Sequence, residues 1–205
     1  MVGFYNYTVI LTYMSLVFSV VGMTFALEDR ITAALVCMLS SGLCDSFDGK
    51  VARTRKRTEE EKRFGIQIDS LCDLVCFCVF PAILGYCIGM RSPLQVAVMA
   101  AYVLAGVIRL AYFNVTEEIR QDSTDKVRDS YLGLPVTMAA MLVPLAFLAQ
   151  KYMAANVFAW FYTAYLALLA FFFIAPVRVP KPHGKGVYAM LAGGLATCAC
   201  LFLLR

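Results

Sequence analysis

Charge is scarce in this chain. Asp, Glu, Lys and Arg make up 16% of its 205 residues and hydrophobic residues 61%, whereas soluble domains carry about a quarter charged residues. Mean hydropathy is +0.73. A domain of this length can bury a core in water, but it cannot hide this much apolar surface. A soluble globular class is therefore excluded, and a polytopic membrane protein remains. Histidine is nearly missing: His183 stands alone in a Pro- and Lys-flanked loop and reads as a solvated side chain rather than a ligand or base. Paired cysteine ligands are missing too. The eight Cys all lie in apolar runs without a C-x-x-C array, so they read as small buried hydrophobes rather than a zinc site. The chain opens without a basic n-region, so no cleavable signal is expected. No repeat or low-complexity linker divides it, and residues 1–205 read as one domain.

The apolar residues are organised in runs. A hydrocarbon core is crossed by about 20 apolar residues in a helix, and such spans are expected near 7–27, 31–52, 65–90, 92–115, 133–150, 154–176 and 186–204. The predicted fold class is an all-α transmembrane bundle of about seven spans, six to eight. Basic residues concentrate in alternate loops: Arg53, Arg55, Lys56, Arg57, Lys62 and Arg63 after the second span, Arg120, Lys126 and Arg128 after the fourth, Arg178, Lys181 and Lys185 after the sixth. By the positive-inside rule these loops and the N-terminus face the cytoplasm, and with seven spans the C-terminus faces outward. The basic loops also suit anionic headgroups. No aromatic–basic platform accompanies them, so no nucleic-acid partner is expected. Trp160 is expected near the outer interface, and Phe171, Phe172 and Phe173 are expected to face lipid or pack.

Against this apolar background four of the fourteen acidic residues lie inside two spans: Asp45, Asp48, Asp69 and Asp73. Ionisable groups in spans are costly and usually functional. Asp45 and Asp48 are spaced i, i+3, Asp69 and Asp73 i, i+4, so each pair shares a helix face. A short hairpin joins the two helices, which are antiparallel neighbours and bring both pairs to a similar depth. Four carboxylates in a poorly solvated site call for compensation. Mg²⁺ or Mn²⁺, one ion or two, suits an all-oxygen donor set and clamps phosphates. The spacing alone also admits capping or ion-pair carboxylates in a structural bundle or a divalent-cation transporter, although no polar path continues beyond the cluster.

The residues between the aspartates narrow this. Asp45-Ser-Phe-Asp48-Gly49-Lys-Val-Ala52-Arg53, eleven residues, Gly65, three residues, Asp69, three residues, Asp73 resembles the D-x2-D-G-x2-A-R…G-x3-D-x3-D signature of the CDP-alcohol phosphatidyltransferases, with every fixed position present. The resemblance implies that Asp45, Asp48 and Asp69 hold metal bridging the diphosphate of a CDP-linked lipid. It implies that Asp73 faces the metal and acts as general base on an acceptor hydroxyl. Gly49, Ala52 and Gly65 would shape the cytidine pocket, and Arg53 would anchor the motif helix or the nucleotide end. Asn6, Thr8 and Thr12 open the first span. Helix-capping is the commoner role for such residues, and in this family the start of that helix lies near the nucleotide, so Thr8 is kept as a candidate contact.

The acceptor is read from a looser likeness. Arg109-Leu-Ala-Tyr-Phe-Asn114-Val and Gly133-Leu134-Pro135 are similar to segments of the branch that makes phosphatidylserine, with Tyr112 where a basic residue is common. That branch implies CDP-diacylglycerol and L-serine as substrates. Arg109 then meets the serine carboxylate, with Asn114, five residues on, nearer the rim. A structural ion pair or a snorkelling role for Arg109 stays open. So do a phosphorylated acceptor (glycerol phosphate or inositol phosphate) and an ether-linked archaeal donor. The resemblance also implies a homodimer.

Overall fold

The computed structural model describes residues 3–52, 54, 55, 58–123, 130–180, 193 and 197. A 3₁₀ turn at Tyr7–Val9 leads into α1 (Ile10–Leu27), which folds back on α2 (Ile31–Ala52). Then follow α3 (Glu59–Cys87), α4 (Pro93–Ser123), α5 (Val136–Tyr152) and α6 (Ala155–Ile174). Two three-residue strands, β1 (Ser130–Leu132) and β2 (Arg178–Pro180), form a small antiparallel ladder with Tyr131 opposite Val179. The architecture is a helical bundle, as the composition requires. Apart from the α1–α2 hairpin, the main lengthwise packing is α4 against α6.

Among the described residues five helices are long and apolar enough to cross a membrane: α1, α2, α3, α4 and α6. The expected span at 133–150 is found as the shorter α5, which begins and ends in 3₁₀ turns and carries Pro144 inside. The segment 186–204 lies outside the described residues except for Gly193 and Thr197. The described residues therefore account for five spans and the shorter α5 of the expected six to eight.

Two helices differ from their predicted bounds for local reasons. α3 begins at Glu59 rather than at 65. Thr58 Oγ1 accepts the Glu61 amide at 3.2 Å, and Glu61 Oε2 accepts the Thr58 amide at 3.0 Å. This reciprocal cap satisfies two orphan donors, and Glu59, Glu60 and Glu61 suit the positive helix end. α4 runs on to Ser123, beyond the apolar stretch, through a polar end that includes Glu117 and Glu118.

α3 is not uniform. Leu74–Val79 widens into a π-helical turn, with the Phe80 amide reaching back to the Val75 carbonyl. Pro81 has no amide to offer the Phe77 carbonyl. Tyr102 on α4 takes that place, its hydroxyl donating to Phe77 O at 2.7 Å. Such turns concentrate at functional sites, and this one begins at the residue after Asp73.

Lipid tails do not drive helices together as water does, so close approach and buried hydrogen bonds matter more. A Cβ at Gly42 would strike Ala140 on α5, and one at Gly106 would strike Cys78 on α3. Between α1 and α2, Ser19 Oγ donates to Ser41 Oγ at 2.9 Å, and Ser15 and Ser41 share a hydrogen bond of 2.8 Å. All three serines are buried. The aromatic core gathers Phe77, Phe80, Tyr102, Phe158, Tyr162 and Phe173, while Ile10, Val17, Val20, Trp160 and Phe171 point outward. The Phe171–Phe173 run thus divides between the lipid-facing surface and the core.

Candidate active site

The hairpin of α2 and α3 brings both aspartate pairs together. One carboxylate oxygen from each of Asp45, Asp48 and Asp69 lies within 4.8 Å of the others. Asp73 is buried and in hydrogen-bond contact with Asp45, and Asp48 with Asp69. Each contact joins one helix to the other, so the cluster is a product of the hairpin and not of either helix. The salt bridges seen among the described residues, Arg30–Glu28, Arg55–Glu61 and Lys62–Glu59, lie away from the four aspartates. Four close carboxylates form an all-oxygen donor set that fits a divalent ion. Among the described residues the group that could hold an ion consists of carboxylates alone, which suits a hard cation better than a soft one.

Thr12, which opens α1 in the sequence reading, has a definite place. It is buried, and its hydroxyl donates to Asp48 Oδ2 at 3.0 Å. That bond fixes one carboxylate lone pair and leaves the other oxygen to the cluster. Asn6 instead donates to Glu61 Oε1 at 3.3 Å, which also receives Arg55 Nη2 at 3.2 Å. Phe4 meets Phe64 edge-on at 5.5 Å, and Tyr7 and Thr54 share a hydrogen bond of 3.1 Å. The start of the chain is thereby pinned to the α2–α3 hairpin above the aspartates. Thr8 lies in the 3₁₀ turn there, and its side chain lies outside the description. Arg53 lies outside the described residues.

Gly49 is exposed, and a Cβ there would meet nothing within 4 Å. The space beside the first aspartate pair is open, as a ligand pocket requires. Ala52 is the last residue of α2 and partly buried; Gly65 is partly buried one turn before Asp69.

Asp73 reaches a second feature. With Arg109, Phe113, Pro135 and Thr137 it lines a small, open cleft. Arg109 is buried on α4. Its Nε donates to Leu134 O and its Nη2 to Gly133 O, both at 3.4 Å. Gly133 has φ +77°, and a Cβ there would come within 2.7 Å of Phe173 O. A side chain is thus refused on two counts, conformation and space. The turn is further held by the Gly133 amide on Val177 O at 2.7 Å and the Leu134 amide on Phe172 O at 2.9 Å.

Asn114 sits elsewhere. Its Oδ1 accepts from Ser70 Oγ at 2.6 Å, and its Nδ2 donates to Gln67 Oε1 at 3.2 Å. Gln67 Nε2 continues to Glu118 Oε1 at 3.1 Å. The structure therefore places Arg109 and Asp73 in the lining of one cleft and Asn114 in the α3–α4 seam. Thr12, Glu61, Gln67 and Thr137 were not singled out for these roles from sequence. The T-x-x-E pattern at Thr58–Glu61 was readable as a cap; the other three depend on packing between distant helices.

Comparison with known proteins agrees with the geometry. A family model described as CDP-alcohol phosphatidyltransferase matches residues 5–179. A CDP-diacylglycerol--serine O-phosphatidyltransferase of Saccharomyces cerevisiae is 38% identical over 113 residues, 54% of this chain and 40% of that protein. One of Helicobacter pylori is 29% identical over 182 residues, 86% of this chain and 73% of that protein. An archaetidylserine synthase of Methanothermobacter thermautotrophicus is 31% identical over 162 residues, 78% of this chain and 64% of that protein. The match thus spans between two-fifths and three-quarters of these relatives' lengths. With the family match running over most of its length and through both aspartate pairs, the chain belongs to the CDP-alcohol phosphatidyltransferase family.

Proposed function

We propose that the chain transfers a phosphatidyl group from CDP-diacylglycerol to the hydroxyl of L-serine, giving phosphatidylserine and CMP. The observation that carries this reading is the position of Asp73. It touches the carboxylate cluster through Asp45 on one side and lines the Arg109 cleft on the other. Asp45, Asp48 and Asp69, with Asp73, would hold Mg²⁺ or Mn²⁺. When bound there, the ion supplies positive charge against the diphosphate and the departing CMP.

The chain's own residues do the rest. Gly49, Ala52 and Gly65 leave room beside the cluster for the nucleotide, with Thr8 and Arg53 as candidate contacts at its edge. Asp73 takes the proton of the acceptor hydroxyl as that oxygen attacks the lipid-linked phosphorus; the bond from phosphorus to the CMP oxygen breaks, and CMP leaves with the electron pair. Arg109 provides the cation in the cleft wall that an amino-acid carboxylate needs. Asn114 holds α3 against α4 and so sets the distance between cluster and cleft. The basic loops support a cytoplasmic-facing site, and the resemblance supports a homodimer as the working unit.

The archaetidylserine synthase among the relatives favours a second reading of the donor, in which the lipid chains are ether-linked. Purified protein incubated with Mg²⁺ or Mn²⁺, a CDP-lipid and a panel of acceptors decides both. CMP release with L-serine alone is expected, and release only with glycerol phosphate or inositol phosphate would overturn the acceptor. Running the panel with ester- and ether-linked CDP-lipids assigns the donor.

A further inference from the structure

Three polar side chains line the cleft beside the carboxylate cluster: Asp73, Arg109 and Thr137. The first two have roles in the proposed reaction. Thr137 has none; it lies in the 3₁₀ turn that opens α5. Such hydroxyls commonly turn back onto the carbonyl three or four residues earlier. Thr163 does so onto Ala159 O at 2.7 Å, Thr116 onto Phe113 O at 3.0 Å and Thr24 onto Val21 O at 2.7 Å.

For Thr137 the equivalent carbonyls belong to Leu134 and Gly133. Both already accept from Arg109, through Nε and Nη2. The backbone there is also not helical: Gly133 has φ +77° and Pro135 has ψ 138°. Thr137 hydrogen-bonds to no described residue through its hydroxyl, yet it lines the cleft that contains Asp73. A half-buried hydroxyl with no local partner, in the wall of a cleft that also carries a buried guanidinium, is equipped to bind something that enters.

We propose that Thr137 is an acceptor-binding residue: its hydroxyl donates to the carboxylate of the amino-acid acceptor beside Arg109. Arg109 has a second duty here as the positioning residue, because its bonds to the Gly133 and Leu134 carbonyls hold the turn that leads into Thr137. The assignment of the carboxylate follows from charge. The acceptor's own hydroxyl must face Asp73 to surrender its proton, and its carboxylate is repelled from the four aspartates toward the wall where Arg109 and Thr137 offer a cation and a donor. This inference rests on the amino-acid acceptor proposed above.

The test uses the full-length protein in detergent or lipid nanodiscs, with CDP-diacylglycerol, Mg²⁺ and labelled L-serine. Thr137→Val keeps the shape and removes the hydroxyl. It is expected to raise the KM for serine about tenfold, a typical loss for a hydrogen bond to a charged group, while the KM for CDP-diacylglycerol stays within about twofold of wild type. Thr137→Ser, which keeps the hydroxyl, is expected to return the serine KM close to wild type. An unchanged serine KM in Thr137→Val, or an equal rise in both KM values, would overturn the proposal. Wild-type protein that releases CMP only with a different acceptor overturns the serine reading separately. Thr137 is then judged on that acceptor: a selective rise in its KM supports the role, and no rise rejects it.

Discussion

The two halves of the site are built differently. The carboxylate half belongs to α2 and α3, where each aspartate is a helix-interior residue whose direction follows from i, i+3 or i, i+4 spacing. Hairpin closure alone brings the pairs together. The cleft half belongs to α4 and to the Gly133–Thr137 segment, where no regular spacing applies. There a buried arginine, a glycine at φ +77° and the carbonyls of Phe172, Phe173 and Val177 decide where each group points. One half is specified locally and the other by partners far along the chain. Substitutions in the first should act on metal and turnover, and in the second on the acceptor.

The largest effect is expected where the halves meet. Asp73→Asn keeps the size and removes the base, and kcat should fall by about 10²–10⁴-fold. Binding of the CDP-lipid should survive in part, because Asp45, Asp48 and Asp69 still form a three-oxygen cluster. A variant turning over at a near-normal rate would remove Asp73 as the base.

Arg109→Ala comes next. It takes away the cation of the cleft and leaves the Gly133 and Leu134 carbonyls without their donor. The KM for serine should rise by about tenfold to a hundredfold, as for lost hydrogen bonds to a charged group, and more than the KM for CDP-diacylglycerol. Equal effects on the two substrates would refute the acceptor role and leave Arg109 as a structural clamp on the turn.

Thr12→Val tests the carboxylate half in the same spirit. It removes the 3.0 Å bond to Asp48 Oδ2 without changing the side-chain volume much. Partners that orient metal ligands are typically worth about 10–100-fold in metal affinity or activity. The half-saturating Mn²⁺ concentration should therefore rise by about tenfold at unchanged serine KM. A change in serine KM alone would contradict the division between the halves.

This division also explains what could be read in advance. The four aspartates, their shared faces and the hairpin depended on spacing and hydrophobic runs, which a linear pattern records. The start of α3 at Glu59 was recorded too, in Thr58-x-x-Glu61, but the surrounding Glu and Lys residues resembled a loop. Arg109 was readable as a buried cation in an apolar run, though not as the donor to two turn carbonyls. Thr12 and Thr137 look alike in sequence, each a threonine in an apolar stretch. Only the contact across 36 residues for Thr12, and the place in the cleft wall beside Arg109 for Thr137, give them different duties.

Asn114 gives the smallest expected effect and the sharpest check on the comparison. Its sequence neighbours made it a serine-binding candidate, whereas its side chain bonds Ser70 and Gln67 on α3. Polar contacts between membrane helices are typically worth about 0.6 kcal/mol each, so Asn114→Ala should lower thermal stability modestly. The KM for serine should move by less than about twofold, because the residue joins the halves without lining the cleft. A selective rise in serine KM, comparable to that of Arg109→Ala and without loss of stability, would return Asn114 to the acceptor site. It would also mean that α4 rotates toward the cleft when substrate binds, since the residue's contacts to α3 must break for its amide to reach the acceptor.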